Sequence, residues 1–244
     1  MTTQQTYRKA AERHEDIETQ VRQNLEELGI DSFDAMVNRL AATAPWITHE
    51  DEIAMIANAQ GDDQQTPRPH TPPEMQVVID GEVNEPEAVR EFNGQALYST
   101  PGLNGKGDEE VLYMFTSLEG LKDHMVRDHS VAARHADIGT SNPDSLSVDS
   151  HYYENDDLGG DWLQNGPGRG WSDLSKVHRG FLGLGNWDNI ISSVDWCRWH
   201  ITLFDGANWG GSRLELPAGR TRYHLRDFGW NDRTSATVNW GRRF

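Results

Sequence analysis

Cysteine is nearly absent from this chain of 244 residues, which has only Cys197. A single thiol excludes an internal disulfide framework and a cysteine-rich zinc site. Long apolar runs are missing too, because no window approaches the roughly 18 apolar residues of a transmembrane helix. The N-terminus, MTTQQTYRKAAERHEDIE, lacks the apolar core of a signal peptide. These absences predict a cytoplasmic protein, with export by another route left open.

Positive charge is scarce in the first part of the chain. Residues 1–150 carry 11 Lys and Arg against 28 Asp and Glu, whereas residues 151–244 carry 11 of each. An acidic surface repels nucleic-acid phosphates and anionic lipids. The composition therefore predicts neither nucleic acid nor membrane as a partner. Eight of the nine tryptophans lie after residue 150, and this contrast predicts two chemically distinct regions.

Residues 1–59 form a predicted helical segment. An apolar stripe at three- and four-residue steps predicts a helix over residues 5–28, and a second helix is predicted to begin at Ser32. Thr48 and Asp51 have the spacing of a helix N-cap and open a third predicted helix.

A small α+β module is predicted over residues 75–127, in the order β-α-β-β-α. Residues 60–74 hold four prolines and no large apolar residue, and residues 128–150 are polar, so both stretches are predicted linkers. No set of nucleophile, base and orienting acid stands out, which favours a protein that is not an enzyme.

Beyond residue 150 an ordered repeat replaces the helical patterns. The stretch YYENDDLGGDWL (152–163) matches LFDGANWGGSRL (203–214), and WDNIISSV (187–194) matches WNDRTSATV (230–238). Short aromatic and β-branched runs between Gly, Asn and Asp turns are typical of a β-sandwich.

These motifs resemble the bacterial-type, calcium-binding members of the βγ-crystallin superfamily. Their Greek-key motif has an aromatic residue, four residues, an aromatic residue, one residue and a glycine, and calcium-binding members add [N/D][N/D]-x-x-[S/T]-S. The resemblance covers residues 151–244, and residues 1–150 resemble no family. It implies an all-β Greek-key sandwich of two βγ-crystallin motifs at the C-terminus, preceded by the helical segment and the α+β module.

The resemblance also implies up to two Ca²⁺ ions, bound between the two repeats. Calcium wants about six to eight oxygen ligands, and in this family each serine reaches across to the site built by the other motif. Ala236 departs from the pattern at the second serine, and Leu158 at the second aromatic. The implied ligands are Asp188, Asn189, the Ile190 carbonyl, Ser192, Asn231, Asp232, the Arg233 carbonyl, Ser235 and the carbonyls of Glu154 and Asp205.

The expected function is non-enzymatic calcium binding that stabilises the C-terminal domain. The acidic residues 1–150 would then be an accessory module or bind a protein partner. Three alternatives stay open: loops that only turn the chain, a protease inhibitor or toxin-like protein on the same fold, and an N-terminal effector or enzyme with a calcium-dependent crystallin appendage.

Overall fold

The computed structural model describes residues 44–59, 67–132, 149–179 and 185–241. The predicted helices over residues 5–28 and from Ser32 lie outside these ranges. Within them, no helix combines the length and the apolar character needed to cross a bilayer.

Helix α1 (His49–Ala59) begins where the sequence predicts. The Oγ1 of Thr48 accepts the backbone N–H of Asp51 at 3.2 Å, and the Asp51 carboxylate accepts the backbone N–H of Thr48 at 2.8 Å. This reciprocal pair satisfies two donors that a helix start leaves open. Met55 anchors the helix, because it is buried in one cluster with Phe204.

The α+β module contains the predicted elements and one more strand. A turn at Asp80 and Gly81, with φ of 48° and 91°, joins the first strand to an unpredicted second one in a hairpin. The segment Pro86–Phe92, predicted as an α-helix, is a 3₁₀ helix, in which Ala88 N–H donates to Glu85 O three residues earlier. The hairpin strands are β1 (Val77–Ile79) and β2 (Glu82–Asn84). The elements that follow the 3₁₀ helix are β3 (Tyr98–Leu103), β4 (Glu110–Phe115) and α2 (Leu118–Ala132).

Each C-terminal repeat supplies four strands of a sandwich. The strands of the first repeat are β5 (Ser150–Tyr153), β6 (Trp162–Asn165), β7 (Arg169–Trp171) and, after the small pair β8 (His178–Arg179) and β9 (Gly185–Asn186), β10 (Ser193–Cys197). Those of the second repeat are β11 (Ile201–Phe204), β12 (Arg213–Leu216), β13 (Arg220–His224) and β14 (Ala236–Asn239).

The two repeats exchange their third strands. One sheet has the order β13-β10-β5-β6, and the other contains β12-β11-β14-β7. Strand β7 of the first repeat therefore pairs with β14 of the second, and β13 of the second pairs with β10 of the first. This interlocked order confirms the predicted Greek-key sandwich.

The α+β module continues one sheet of the sandwich. Strand β3 pairs in parallel with β12, so that the sheet has eight strands in the order β2-β1-β4-β3-β12-β11-β14-β7. Side chains of both parts share one core, among them Val77, Leu97, Leu112, Leu203 and Leu214. The sequence did not predict this junction. The repeat supplies both halves of a sandwich, so the sequence also predicts that residues 146–244 fold alone, and this stays a prediction.

Candidate metal site

The two hexapeptide loops, residues 188–193 and 231–236, lie side by side at one end of the sandwich. The N–H of Asn189 donates to Thr234 O at 2.9 Å, and the N–H of Asp232 donates to Ile191 O at 3.1 Å. The two bonds join equivalent positions, so each loop fixes the other.

The second residue of each loop has a left-handed backbone. The φ angle is 59° at Asn189 and 52° at Asp232. Asn and Asp are enriched in this region several-fold over other non-glycine residues. The acid-amide pair of the motif thus has a conformational role as well as oxygen atoms to offer.

The serines cross between the loops. The Oγ of Ser235 donates to Asp188 Oδ1 at 2.5 Å, and the Oγ of Ser192 donates to Asp232 Oδ1 at 2.9 Å. The structure therefore brings each serine against the carboxylate of the other motif. The family resemblance implied serines that reach across in this way, and metal binding by their hydroxyl groups stays a prediction.

Backbone hydrogen bonds place the two remaining predicted residues, Glu154 and Asp205, beside these serines. The N–H of Ser192 donates to Tyr153 O at 2.9 Å, which places Glu154 next to it. The N–H of Ser235 donates to Phe204 O at 2.7 Å, which places Asp205 in the equivalent position.

Two groups of oxygen-bearing residues result, and their members come from both repeats. We call the group Asp188, Asn189, Ile190, Ser235 and Asp205 the first site. We call the group Asn231, Asp232, Arg233, Ser192 and Glu154 the second site. Among the described residues, no three His, Cys, Asp or Glu side chains gather as a metal-binding group. Each site instead combines one loop carboxylate with amide, hydroxyl and carbonyl oxygens, which are donors that calcium accepts.

The amide of each loop bonds to the neighbouring acid. The Nδ2 of Asn189 donates to Asp188 Oδ2 at 2.6 Å, and the Nδ2 of Asn231 donates to Asp232 Oδ2 at 2.7 Å. The order of acid and amide is reversed between the loops, yet the contact is the same.

The second serine of the motif braces only the first loop. The Oγ of Ser193 donates to Asn155 O at 2.6 Å. Ala236, at the matching position of the second loop, is fully buried and has no hydroxyl to offer. The departure from the motif at Ala236 therefore means that the second loop lacks the hydrogen bond that Ser193 makes in the first loop.

The side chains of Asp205 and Arg233 form a buried ion pair at the first site. The Nη2 and Nε of Arg233 donate to Asp205 Oδ2 at 2.6 and 3.0 Å, and Oδ1 accepts the N–H of Ser212 at 2.7 Å. The carboxylate of Asp205 is thus committed within the protein, and the ligand predicted at this residue is its backbone carbonyl. Sequence reasoning used only the carbonyl of Arg233 and missed this pair, because no local pattern links residues 28 positions apart.

The segment Pro67–His70 lies against the same ion pair. The Nη2 of Arg68 donates to Ser235 Oγ at 3.3 Å. The Nη2 of Arg233 donates to His70 Nδ1 at 3.1 Å, and the Nε2 of His70 donates to Gln95 O at 2.9 Å. Burial lowers the pKa of His70, in keeping with a neutral ring held by these two contacts.

A cavity of about 460 Å³ opens at the first site. Carboxylates, a hydroxyl and a guanidinium share its lining, which includes Arg68, Asp173, Asp188, Asp205 and Ser235. A polar cavity of this size admits hydrated ions.

Comparison with known proteins finds similar structures. No protein-family model and no curated protein sequence matches the chain. A βγ-crystallin from Ciona intestinalis is 22% identical, with a TM-score of 0.29 over 37% of this chain and 98% of that one. An archaeal βγ-crystallin is 17% identical, with a TM-score of 0.29 over 38% and 98%. A structure concerned with the evolution of the eye-lens βγ-crystallin domain fold is 18% identical, with a TM-score of 0.31 over 41% and 91%. Over about two-fifths of its length, the chain is similar to βγ-crystallin domains of known structure.

Proposed function

We propose that this protein binds up to two Ca²⁺ ions, one at each site, and that calcium stabilises its C-terminal sandwich without any chemical reaction. The observation that carries the proposal is the reciprocal contact of Ser235 with Asp188 and of Ser192 with Asp232. One such loop would be an ordinary turn. Here the serine hydroxyl of each loop bonds to the carboxylate of the other loop, and a role as turns alone does not account for this reciprocal contact.

The donor chemistry supports a hard cation. Oxygen ligands at about 2.3–2.6 Å suit calcium, whereas magnesium demands a nearly ideal octahedron and sheds its water reluctantly. The Ser235 hydroxyl and the Asp188 carboxylate already face each other across a hydrogen bond, and an ion that binds both oxygens would break this bond and take its place between them.

The charge of the sites supports moderate affinity. Asp188 is the one acid of the first loop, and Asp232 that of the second. The carboxylate of Asp205 is neutralised by Arg233, so it adds no net negative charge to the first site. Because calcium affinity follows the number of charged ligands, we expect weaker binding than in high-affinity EF-hand buffers.

Calcium would stabilise the fold by mass action. Any ligand that binds only the folded state adds free energy of unfolding, about 2.7 kcal/mol at a hundredfold excess over Kd. For a cooperative unit of about 150–250 residues, such as the sandwich together with the α+β module that shares its core, this corresponds to roughly 5–10 °C in Tm per site.

Thermal unfolding of the full chain tests the proposal. We expect millimolar Ca²⁺ to raise Tm above its value in chelator, and Mg²⁺ to raise it less. The matched control is the double variant Asp188→Ala, Asp232→Ala, which removes both loop carboxylates and should not respond to calcium. Equal melting curves of the unaltered chain in calcium and in chelator would refute the proposal.

We further propose that the acidic region, residues 1–150, acts as an accessory module that binds a basic protein partner. Its support is the charge of this region, which holds 28 acidic and only 11 basic residues. Such an association weakens steeply with ionic strength, so salt-independent binding of a partner would speak against it.

A further inference from the structure

The first site contains a positive charge that belongs to the protein itself. The Nη2 of Arg68 donates to Ser235 Oγ at 3.3 Å, and the same Oγ donates to Asp188 Oδ1 at 2.5 Å. Arg68 also lines the cavity with Asp188 and Asp205. A guanidinium therefore lies among the oxygens that the proposed function assigns to calcium.

The backbone beside Arg68 is held by a second arginine. The guanidinium of Arg233 donates to Arg68 O and to Pro69 O, each at 3.2 Å, and to His70 Nδ1 at 3.1 Å. The same group is paired with Asp205 at 2.6 Å. Segment Pro67–His70 is thus fastened to the ion pair that lies under the first site.

The far end of the segment is fastened as well. His70 is buried, its N–H donates to Asn93 Oδ1 at 2.7 Å, and its Nε2 contacts Gln95 O at 2.9 Å. Pro67 and Pro69 on either side of Arg68 restrict the backbone further, since proline fixes φ and disfavours a helical residue before it. The Arg68 side chain is therefore presented to Ser235 by a backbone that has little freedom to withdraw.

The serine of the second site has different partners. The Oγ of Ser192 bonds to Asp232 Oδ1 at 2.9 Å and to Ile190 O at 3.4 Å. Both partners are oxygens of the two loops. The two sites therefore differ in what their serine hydroxyls contact, although their loop backbones match.

We propose that Arg68 is an internal competitor for calcium at the first site, so that the guanidinium must turn away before an ion is bound there. The inference rests on the proposed function. A guanidinium and a divalent ion repel each other, and the Ser235 oxygen that accepts from Arg68 has one lone pair fewer for the metal. Calcium at the first site is bound only by the fraction of molecules in which Arg68 has left, and the apparent affinity falls by that fraction.

Calorimetry on a chain with one remaining site tests this. The Ser192→Arg variant removes the second site, so its titration with Ca²⁺ reports the first. Adding Arg68→Ala should lower the Kd for calcium about tenfold, as expected if Arg68 occupies the first site in about nine-tenths of the molecules. Arg68→Gln, which keeps a hydrogen-bond donor without the charge, should lower it less, and serves if the alanine variant fails to fold. The matched control is Arg90→Ala, which removes the same charge from an exposed position and should change nothing.

Thermal unfolding gives a second readout, first in chelator and then in calcium. In chelator, Arg68→Ala should lower Tm slightly, because the bond to Ser235 is lost, whereas in calcium the gain in Tm should exceed that of the unaltered chain. Equal calcium affinity of Ser192→Arg with and without the Arg68 substitution would overturn the inference alone. Absence of calcium binding in the unaltered chain, in Ser192→Arg and in every Arg68 variant would overturn the proposed function.

Discussion

The two repeats have nearly the same backbone and different side chains around it. The motif glycines are Gly160 and Gly211, and both have a φ of 76°. Two residues before them, Leu158 and Trp209 both have left-handed φ angles, of 64° and 68°. The residue after the first aromatic is Glu154 in one repeat and Asp205 in the other. The Glu154 carboxylate is partly exposed, whereas that of Asp205 is buried against Arg233. The repeat preserves what the turn requires of the backbone, and each side chain has acquired its own surroundings.

The difference in side-chain surroundings also separates the two proposed calcium sites. Two arginines contact the first site: Arg68 donates to the hydroxyl of Ser235, and Arg233 donates to the carboxylate of Asp205. At the second site the contacts of Ser192 are loop oxygens. Equal sequence motifs thus predict equal ligands but not equal affinity.

The largest effect should come from removing the acid that differs between the repeats. Asp205→Ala leaves Arg233 buried without its partner, and breaking a buried pair in this way costs about 3–5 kcal/mol. Glu154→Ala, at the equivalent and partly exposed position, should cost less than about 1 kcal/mol. Urea unfolding in chelator measures both values, and equal losses would mean that the ion pair contributes nothing to the contrast.

The crossed serines offer the next test. Ser192→Arg replaces an oxygen of the second site with a cation, so that site should be lost, with affinity lower by at least a hundredfold, or about 2.7 kcal/mol. The mirror variant Ser235→Arg should remove the first site in the same way.

Calorimetry should count one ion in each single serine variant and none in the double variant. Two ions still bound to Ser192→Arg would show that its hydroxyl is no ligand, and that the loop resemblance does not extend to calcium.

The motif glycines should show the smallest difference. An added Cβ costs about 1–2 kcal/mol at either position, since both have left-handed backbones. At Gly211 the new atom would also lie 2.0 Å from Asp205 Oδ1, on a buried carboxylate held by Ser212 and Arg233. At Gly160 it would lie 2.7 Å from Glu154 Oε2, which accepts the N–H of Asp161 but belongs to a longer, partly exposed side chain. Gly211→Ala should therefore lower the free energy of unfolding by about 1 kcal/mol more than Gly160→Ala. The same urea titration measures it, and a larger loss for Gly160→Ala would contradict the assigned packing.

Local patterns predicted most of the elements. The cap of α1 needs only Thr48 and Asp51, three residues apart, and the sandwich strands follow from alternation and turn residues. The segment Pro86–Phe92 was assigned the wrong helix type, because its 7 residues are too few to distinguish about 3.0 residues per turn from about 3.6. Strand β2 was missed because it has only 3 residues and lies between the turn at Gly81 and the 3₁₀ helix that begins at Pro86.

The site was predictable only in its repeated part. The loops follow from a motif written twice in the sequence, whereas the crossing of their serines was implied only by the resemblance to βγ-crystallins. The positions of Arg68 and Arg233 around Asp205 depend on pairings that span 28 to 167 residues, and no periodicity reports them. Side chains brought in by tertiary folding set the electrostatics of a site that local sequence defines chemically.

The pairing of β3 with β12 also changes what the protein exposes to its neighbours. A sandwich sheet without β3 would end at β12, whose open backbone could recruit a strand from another molecule and start aggregation. In the full sheet the outermost strands are β2 and β7, each three residues long. Residues 45–47 bond to one side of β7, where the N–H of Gly170 donates to Pro45 O at 3.0 Å. The N-terminal residues therefore cover the two edges, at β12 and at β7, where this sheet of the sandwich would otherwise offer an open backbone.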